Sequence, residues 1–356
     1  VYISDEEVKN MLKNNRAYRF ENRCKQDNVS VVVQSSGTTS ISKGVMLSQN
    51  NILTDMVAGM REYDYPKGAI YYKVLPYQHL FGLVADLLGP LYSGGTICYS
   101  NDSINLFNYL NIFKPTHLNL PPVIVSIIKK MLLNGSDLER ITGGRLKKIM
   151  CAGATIDQEC ILFLKKYGIN VFVAYGLTEC SPCISMNSDT NHKNGSVGKI
   201  LECVRVKIED NEIVVSGDTV MLGYWNDQKA TNKVCKDGWL KTGDLGYIDN
   251  EGFLYLTGRK SNLIVFEDGT KLSPENFESK INSISGVKEC MVYSVKKNER
   301  TTINVKVVVE TDQDFQVRNK IERIACKMQL NSRLGKIEFT NNELQKNNLG
   351  KIIRKI

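Results

Sequence analysis

The sequence has no stretch able to cross a bilayer as a helix: its longest apolar runs, such as Pro121 to Ile128, stop at Lys129 and Lys130, far short of the ~20 residues a span requires. Its first residues do not read as a leader either. VYISDEEVKN has neither a basic n-region nor an apolar h-region, and it lacks an initiator Met, so the chain is expected to start inside a longer product. Histidine is scarce, at 3 residues, and His79, His117 and His192 stand too far apart for a His-rich metal motif. No basic block exists. The net charge of +8 is spread among Asp and Glu, which argues against nucleic acid and leaves a mild bias toward anionic ligands. The 10 cysteines are too sparse for a disulfide scaffold, and without a secretory signal they read as reduced thiols of a cytoplasmic protein. Cys180 and Cys183 form one C-x-x-C pair with no second pair at zinc spacing, whereas a structural zinc needs four ligands. There is no internal repeat and no low-complexity segment.

What is present describes a globular enzyme-sized chain. With 356 residues, 42% hydrophobic and 24% charged, two or three packing units sharing an interface are expected. Up to about residue 200, short β-branched runs alternate with longer amphipathic ones, the pattern of a helix-covered, mostly parallel α/β sheet. Strands are predicted at Ser30 to Gln34, Ile70 to Leu75, Thr96 to Tyr99, Thr116 to Leu118, Lys148 to Cys151 and Val171 to Ala174. Helices are predicted at Asn50 to Glu62, with Ser48 as cap, and at Leu80 to Tyr92, Pro121 to Leu133 and Asp157 to Tyr167. From 204 to 257 the turn signals Glu209-Asp210-Asn211, Asp237-Gly238 and Asp249 to Gly252 mark a small antiparallel β unit. Beyond 257 a small α+β domain is expected over 258–356, its first helix capped by Ser273 ahead of Pro274.

Four segments carry candidate chemistry. In VVVQSSGTTSISKG an apolar strand runs into Ser35, Ser36, Gly37, Thr38 and Thr39, then Lys43; hydroxyls, open N–H groups and a cation suit polyphosphate oxygens. It is not a Walker A loop, since Ser42 precedes Lys43 and Gly44 follows. A plain polar turn would read much the same. VAYGLTECSP supplies Tyr175, Gly176, Thr178 and Glu179, the last either a hard Mg²⁺ ligand or a solvated helix-start carboxylate. GWLKTGDLGYID and GRKSN place Asp244 at a glycine turn, where it could take vicinal hydroxyls or satisfy local backbone, and Arg259, whose fork suits phosphate or ribose. Last, LGKIIRKI carries Lys351 in the tail.

In order and together, SSGTTSISKG, YGLTE, GWLKTGDLGYID, GRKSN and LGKIIRKI resemble the successive core motifs of the adenylate-forming, AMP-binding superfamily: acyl-CoA synthetases, adenylation domains and firefly luciferase. The resemblance runs from about Val31 to Ile356. It implies that Ser35, Ser36, Gly37, Thr38, Thr39 and Lys43 wrap the ATP phosphates, that Gly153 and Ala154 of CAGATID line the adenine side, and that Tyr175 stacks on the base beside Gly176. Thr178 would touch the α-phosphate, Glu179 hold Mg²⁺, Asp244 and Arg259 bind the ribose, His79 of PYQHLFG sit by the acyl carboxylate, and Lys351 bridge carboxylate and α-phosphate. It further implies a large nucleotide- and acyl-binding domain at 1–257, a mobile domain at 258–356 and a hinge near 259–262, at Asn262 where Asp or Lys is usual. Ser40 and Ser42 stand where Gly and Pro are usual, and Ala174 where many members carry a polar residue. The superfamily has a further stretch before the phosphate loop, so the large domain is expected to be N-terminally incomplete.

GLTECSP and the run from SVGKILECVRVKI to VMLGYWND look most like the fatty acyl-CoA synthetase branch. The resemblance implies ATP, Mg²⁺ and CoA, a carboxylic acid substrate expected to be a fatty acid, and an acid–thiol ligase reaction. An acyl carrier protein is the alternative acceptor, which the basic surface would suit. A degenerate nucleotide- or acyl-binding relative is the rival from another class, and peripheral membrane contact is left open.

Overall fold

The computed structural model describes residues 27–35, 43–63, 66–100, 105–154, 156–297, 300–309, 314–346 and 352–354. At the centre is a seven-stranded sheet. Strands Thr96–Cys98, Ile70–Tyr72, His117–Leu120, Lys148–Cys151 and Asn170–Tyr175 run parallel in that order, and Ser185–Met186 and Lys199–Ile200 extend it antiparallel. His117–Leu120 is buried at every position, as befits a central parallel strand covered on both faces. On one face Leu110, Val125, Ile128 and Leu164, from helices Leu106–Phe113, Pro122–Leu133 and Gln158–Lys165, pack with Ile149 and Val171. Another core joins helix Gln49–Tyr63 to the antiparallel strands that follow.

The strand at Val29–Gln34 was expected in the parallel sheet but lies elsewhere. It pairs antiparallel with Gly44–Ser48, which also pairs with Gly223–Tyr224. The connection is the reason: residues 35–43 are too few for a parallel crossover, so the chain folds straight back, and Ser35 N–H donates to the Lys43 carbonyl at 2.9 Å. Ser48 caps the next helix as anticipated. Its Oγ accepts the Asn51 N–H at 3.0 Å while Asn51 Oδ1 accepts the Ser48 N–H at 2.8 Å, a reciprocal cap.

The predicted helix at 80–92 is broken in character. Gly82–Leu88 is wound as a π-helix, with the Gly89 N–H reaching Val84 O, before a short α-helix at Gly89–Ser93. Pro90 has no N–H for the i→i−4 ladder, which favours the wider winding before it. This places Asp86 inside, where it accepts the N–H groups of Val74 and Leu75 and the Asn119 amide at 2.7 Å, bracing the strand end that leads to His79.

The segment from 205 to 259 is antiparallel as read, with Glu212–Ser216 between Arg205–Glu209 and Trp239–Ile248, and Leu254–Arg259 on the far side. Asp210 and Asn211 both take positive φ (49° and 64°) in the first hairpin turn. Residues 264–339 have a separate core around Phe277, Val305 and Ile321, built from sheet Val287–Lys297, Arg300–Val309 and Leu334–Thr340 with helices Pro274–Asn282 and Asp314–Lys327. Ser273 stands at the cap of helix Pro274–Asn282, but its hydroxyl does not cap. It donates instead to Glu275 at 2.9 Å, and its oxygen accepts no helix N–H.

Burial pushes the Asp86 carboxyl from an ordinary 3.8 up to about 7, against the hydrogen bonds that lower it. Between these values the folded chain holds a proton that the unfolded chain has released, so stability from this group is full below about pH 4 and falls as pH rises toward 7. Asp86→Asn, which cannot ionise, is expected to flatten that part of the profile. Urea unfolding of both proteins at pH 5 and pH 8 checks this; parallel profiles would refute it.

Candidate nucleotide-activating site

The site is organised by one turn. Strand Asn170–Tyr175 ends at the carboxyl edge of the parallel sheet, the chain turns at Gly176, and Thr178–Cys180 makes a single 3₁₀ turn before the return strand at Ser185–Met186. Only glycine fits at 176, because a Cβ there would lie 1.8 Å from the Pro182 carbonyl oxygen. Ser181 takes φ of 72° and donates its hydroxyl to Thr219 O, while the Met221 N–H donates to Glu179 O at 2.9 Å. The turn is thereby fastened to the segment that leads into Gly223–Tyr224.

At the far end of the turn, Glu179 lies close to the base of the hairpin that carries Ser35 and Lys43. Tyr224 Oη donates to Glu179 Oε1 at 2.9 Å, and the Lys43 ammonium sits 4.7 Å from the centroid of the Tyr224 ring. Burial and the neighbouring Glu179 charge push the Tyr224 hydroxyl pKa up, so it remains a donor. The strand pairing Tyr224↔Val45 and the bond from Trp225 N–H to Gly44 O bring residue 224 beside Lys43. Ser35 faces Lys43 across the neck of the same hairpin.

At the near end, Tyr175 donates its hydroxyl to Asp244 Oδ2 at 2.9 Å, and Arg259 Nε lies 2.7 Å from Asp244 Oδ1. Asp244 and Arg259 are register partners on adjacent antiparallel strands, with Gly243 at φ 73° ahead of the acid. Asp244 is buried, yet a carboxylate has about four lone-pair sites, so two remain in principle for ribose hydroxyls. The Tyr175 ring is only 7% exposed and packs within the core, so it is not presented as an open stacking platform. Burial and Asp244 drive its hydroxyl pKa well up. Gly153, at φ 91°, and Ala154 follow the parallel strand next to Asn170–Tyr175 and share its carboxyl edge.

Thr178 opens the 3₁₀ turn, half-buried. His79 is exposed in the turn after Ile70–Tyr72, its N–H on Pro76 O, and is not drawn into either group. Ser36, Gly37, Thr38, Thr39 and Lys351 lie outside the described residues. Arg354, at the tail, forks onto Glu278 with two bonds of 2.6 Å, and Asn262 donates to Glu275 at 2.5 Å.

A cavity of about 400 Å³ adjoins Glu179 and Tyr224, reaching Thr242, Lys241 and Lys260. Sequence reasoning missed two residues here. Glu212 is buried and takes the Gly243 N–H at 3.1 Å and Lys260 Nζ at 2.6 Å, fixing the turn before Asp244. Nothing in a Glu after a hairpin turn marks it. Tyr224 sits in GYWN, where an aromatic after glycine was the available signal.

The donor set suits Mg²⁺ held by one carboxylate and substrate phosphates, since Mg²⁺ keeps several waters and needs few protein ligands. Among the described residues no three His, Cys, Asp or Glu side chains form a metal cage. Cys180 and Cys183 are buried, with burial first among the causes that push their thiols well up. No helix among the described residues is long and apolar enough to cross a membrane.

Residues 2–225 match the protein family described as AMP-binding enzyme. The chain is 28% identical to 4-coumarate–CoA ligase-like 6 of Arabidopsis thaliana over 93% of its own length and 62% of that protein's. It is also 28% identical to a long-chain-fatty-acid–CoA ligase of Escherichia coli O6:H1, over 90% of itself and 60% of the relative. It thus spans about three-fifths of these relatives. ATP-bound MatB from Rhodopseudomonas palustris superposes with a TM-score of 0.82 at 22% identity, covering 95% of this chain and 69% of that one, which shows the same fold.

Gly176→Ala is expected to displace the whole turn, costing more than about 2 kcal/mol and both ends of the site together. Denaturant unfolding with a parallel nucleotide-binding titration would check it; wild-type behaviour in both would show the turn to be yielding.

Proposed function

The chain belongs to the AMP-binding enzyme family, and we propose that it activates a carboxylic acid with ATP to an acyl-adenylate, releases pyrophosphate, and passes the acyl group to the thiol of CoA. One observation carries this reading. Tyr175 and Glu179 sit at the two ends of a single turn, the first joined to Asp244 and Arg259 and the second to Tyr224 and Lys43. A nucleotide laid along the turn would find a hydroxyl-binding acid and a guanidinium at one end and a carboxylate and ammonium at the other.

In the first step a substrate carboxylate oxygen bonds to the α-phosphorus as the bond from that phosphorus to the β-bridging oxygen breaks. Two anions must meet, so cations at the reacting centre and the departing pyrophosphate dominate the barrier. Lys43 serves the pyrophosphate side, Thr178 the α-phosphate, and Lys351, assigned by its motif, the reacting oxygens. Glu179 would hold Mg²⁺, which supplies further neutralisation of the polyphosphate. In the second step the CoA thiolate bonds to the acyl carbon and AMP leaves.

For the acid we place a fatty acid first, in keeping with the ligase of Escherichia coli; the coumarate-named relative is equally similar, so an aryl acid is the direct competitor. Both names pair a carboxylate with an apolar body.

Purified protein is expected to exchange labelled pyrophosphate into ATP only when a suitable acid is present, with mass spectrometry of the thioester naming the acid from a mixed aliphatic and aryl panel. Lys351→Ala should slow exchange by at least about a hundredfold, the scale of one preorganised charge, while sparing thioester formation from supplied acyl-AMP. ATP binding with no exchange across the panel would replace the ligase by a nucleotide-binding relative.

A further inference from the structure

Resting on that reading, we propose that Tyr224 is a positioning residue that holds the phosphate end of the site open by keeping its cation and its anion apart. Lys43 and Glu179 carry opposite charges and share one neighbour, yet among the described residues they form no ion pair. Tyr224 stands between them. Its hydroxyl donates to Glu179 Oε1 at 2.9 Å, and its ring face holds the Lys43 ammonium 4.7 Å from the centroid.

The two contacts differ in kind, and that difference is the argument. A phenol hydrogen bond orients a carboxylate without neutralising it, leaving lone pairs for a hard cation. A ring face attracts an ammonium through its quadrupole without supplying a counter-charge, so the three N–H donors keep their full charge for phosphate oxygens. Direct pairing of Lys43 with Glu179 would cancel both charges before a substrate arrived.

Tyr224 is itself well held. It is 8% exposed, its N–H donates to Thr231 Oγ1 at 2.9 Å, and it is paired with Val45 on the hairpin that carries Lys43. The anchoring of Glu179 O by the Met221 N–H fixes the other partner from the same segment. Cation and anion are therefore both referenced to residues 221–224.

The test measures ATP affinity calorimetrically in EDTA and in Mg²⁺, which separates nucleotide binding from metal-dependent strengthening without turnover. Tyr224→Phe keeps the ring and removes the hydroxyl. It is expected to bind ATP in EDTA as wild type does, and to lose about tenfold of the strengthening brought by Mg²⁺. Tyr224→Leu removes both contacts and should also lose about threefold to tenfold in EDTA, with Lys43→Ala adding nothing further in that background. Equal Mg²⁺ strengthening in Y224F and wild type, or an EDTA affinity of Y224L equal to wild type, would overturn the proposal.

Should Y224F fail to fold, Glu179→Asp withdraws the carboxylate by one methylene from an intact Tyr224 and is expected to show the same selective loss in Mg²⁺. Unchanged strengthening there would overturn the proposal too. A wild type that binds no ATP under either condition defeats the ligase reading as well, whereas tight binding unaffected by residue 224 defeats this inference alone.

Discussion

The approach of the main chain at Gly176 to the Pro182 carbonyl is the constraint on which the rest of the site depends. A side chain of any size at 176 would force the two limbs apart, and the limbs carry Tyr175 and Glu179. Because the turn grows from the end of a parallel strand, it sits where open α/β sheets gather ligands. Its far limb is hydrogen-bonded through Glu179 O and Ser181 Oγ to the segment 219–221, and Tyr224 holds the Glu179 carboxylate itself.

Around that turn, buried charge is distributed with evident economy of partners. Asp244 meets a guanidinium and a phenol, and Glu212 meets a main-chain N–H and an ammonium. Both oxygens of each of these two acids are hydrogen-bonded, which offsets the desolvation that an unpaired carboxylate would suffer. Glu179, by contrast, is given a neutral donor. That asymmetry separates Asp244 and Glu212, each beside a cation, from Glu179.

The motif-bearing loops were legible because their chemistry is local. Ser48 as a cap, the Asp210-Asn211 turn and the glycine ahead of Asp244 each follow from a few adjacent residues. Other features were not. The strand Val29–Gln34 had the composition of a sheet-core strand, and only the short return through residue 43 sends it to a separate antiparallel sheet. The π-helical winding at Gly82–Leu88 hides behind an ordinary helical periodicity. Ser273 stands where a cap is expected, yet its oxygen accepts no helix N–H.

The sequence by itself determined the class of fold, the order of the motifs and the family, because periodicity, turn residues and short motifs are properties of neighbouring positions. Tertiary structure alone decided that Tyr175 is tied to Asp244, that Glu212 fixes the preceding turn, and that Tyr224 stands between Lys43 and Glu179. These partners are separated by tens to hundreds of residues. A hydrogen bond or a cation over a ring depends on distance in space, and sequence separation carries no record of it.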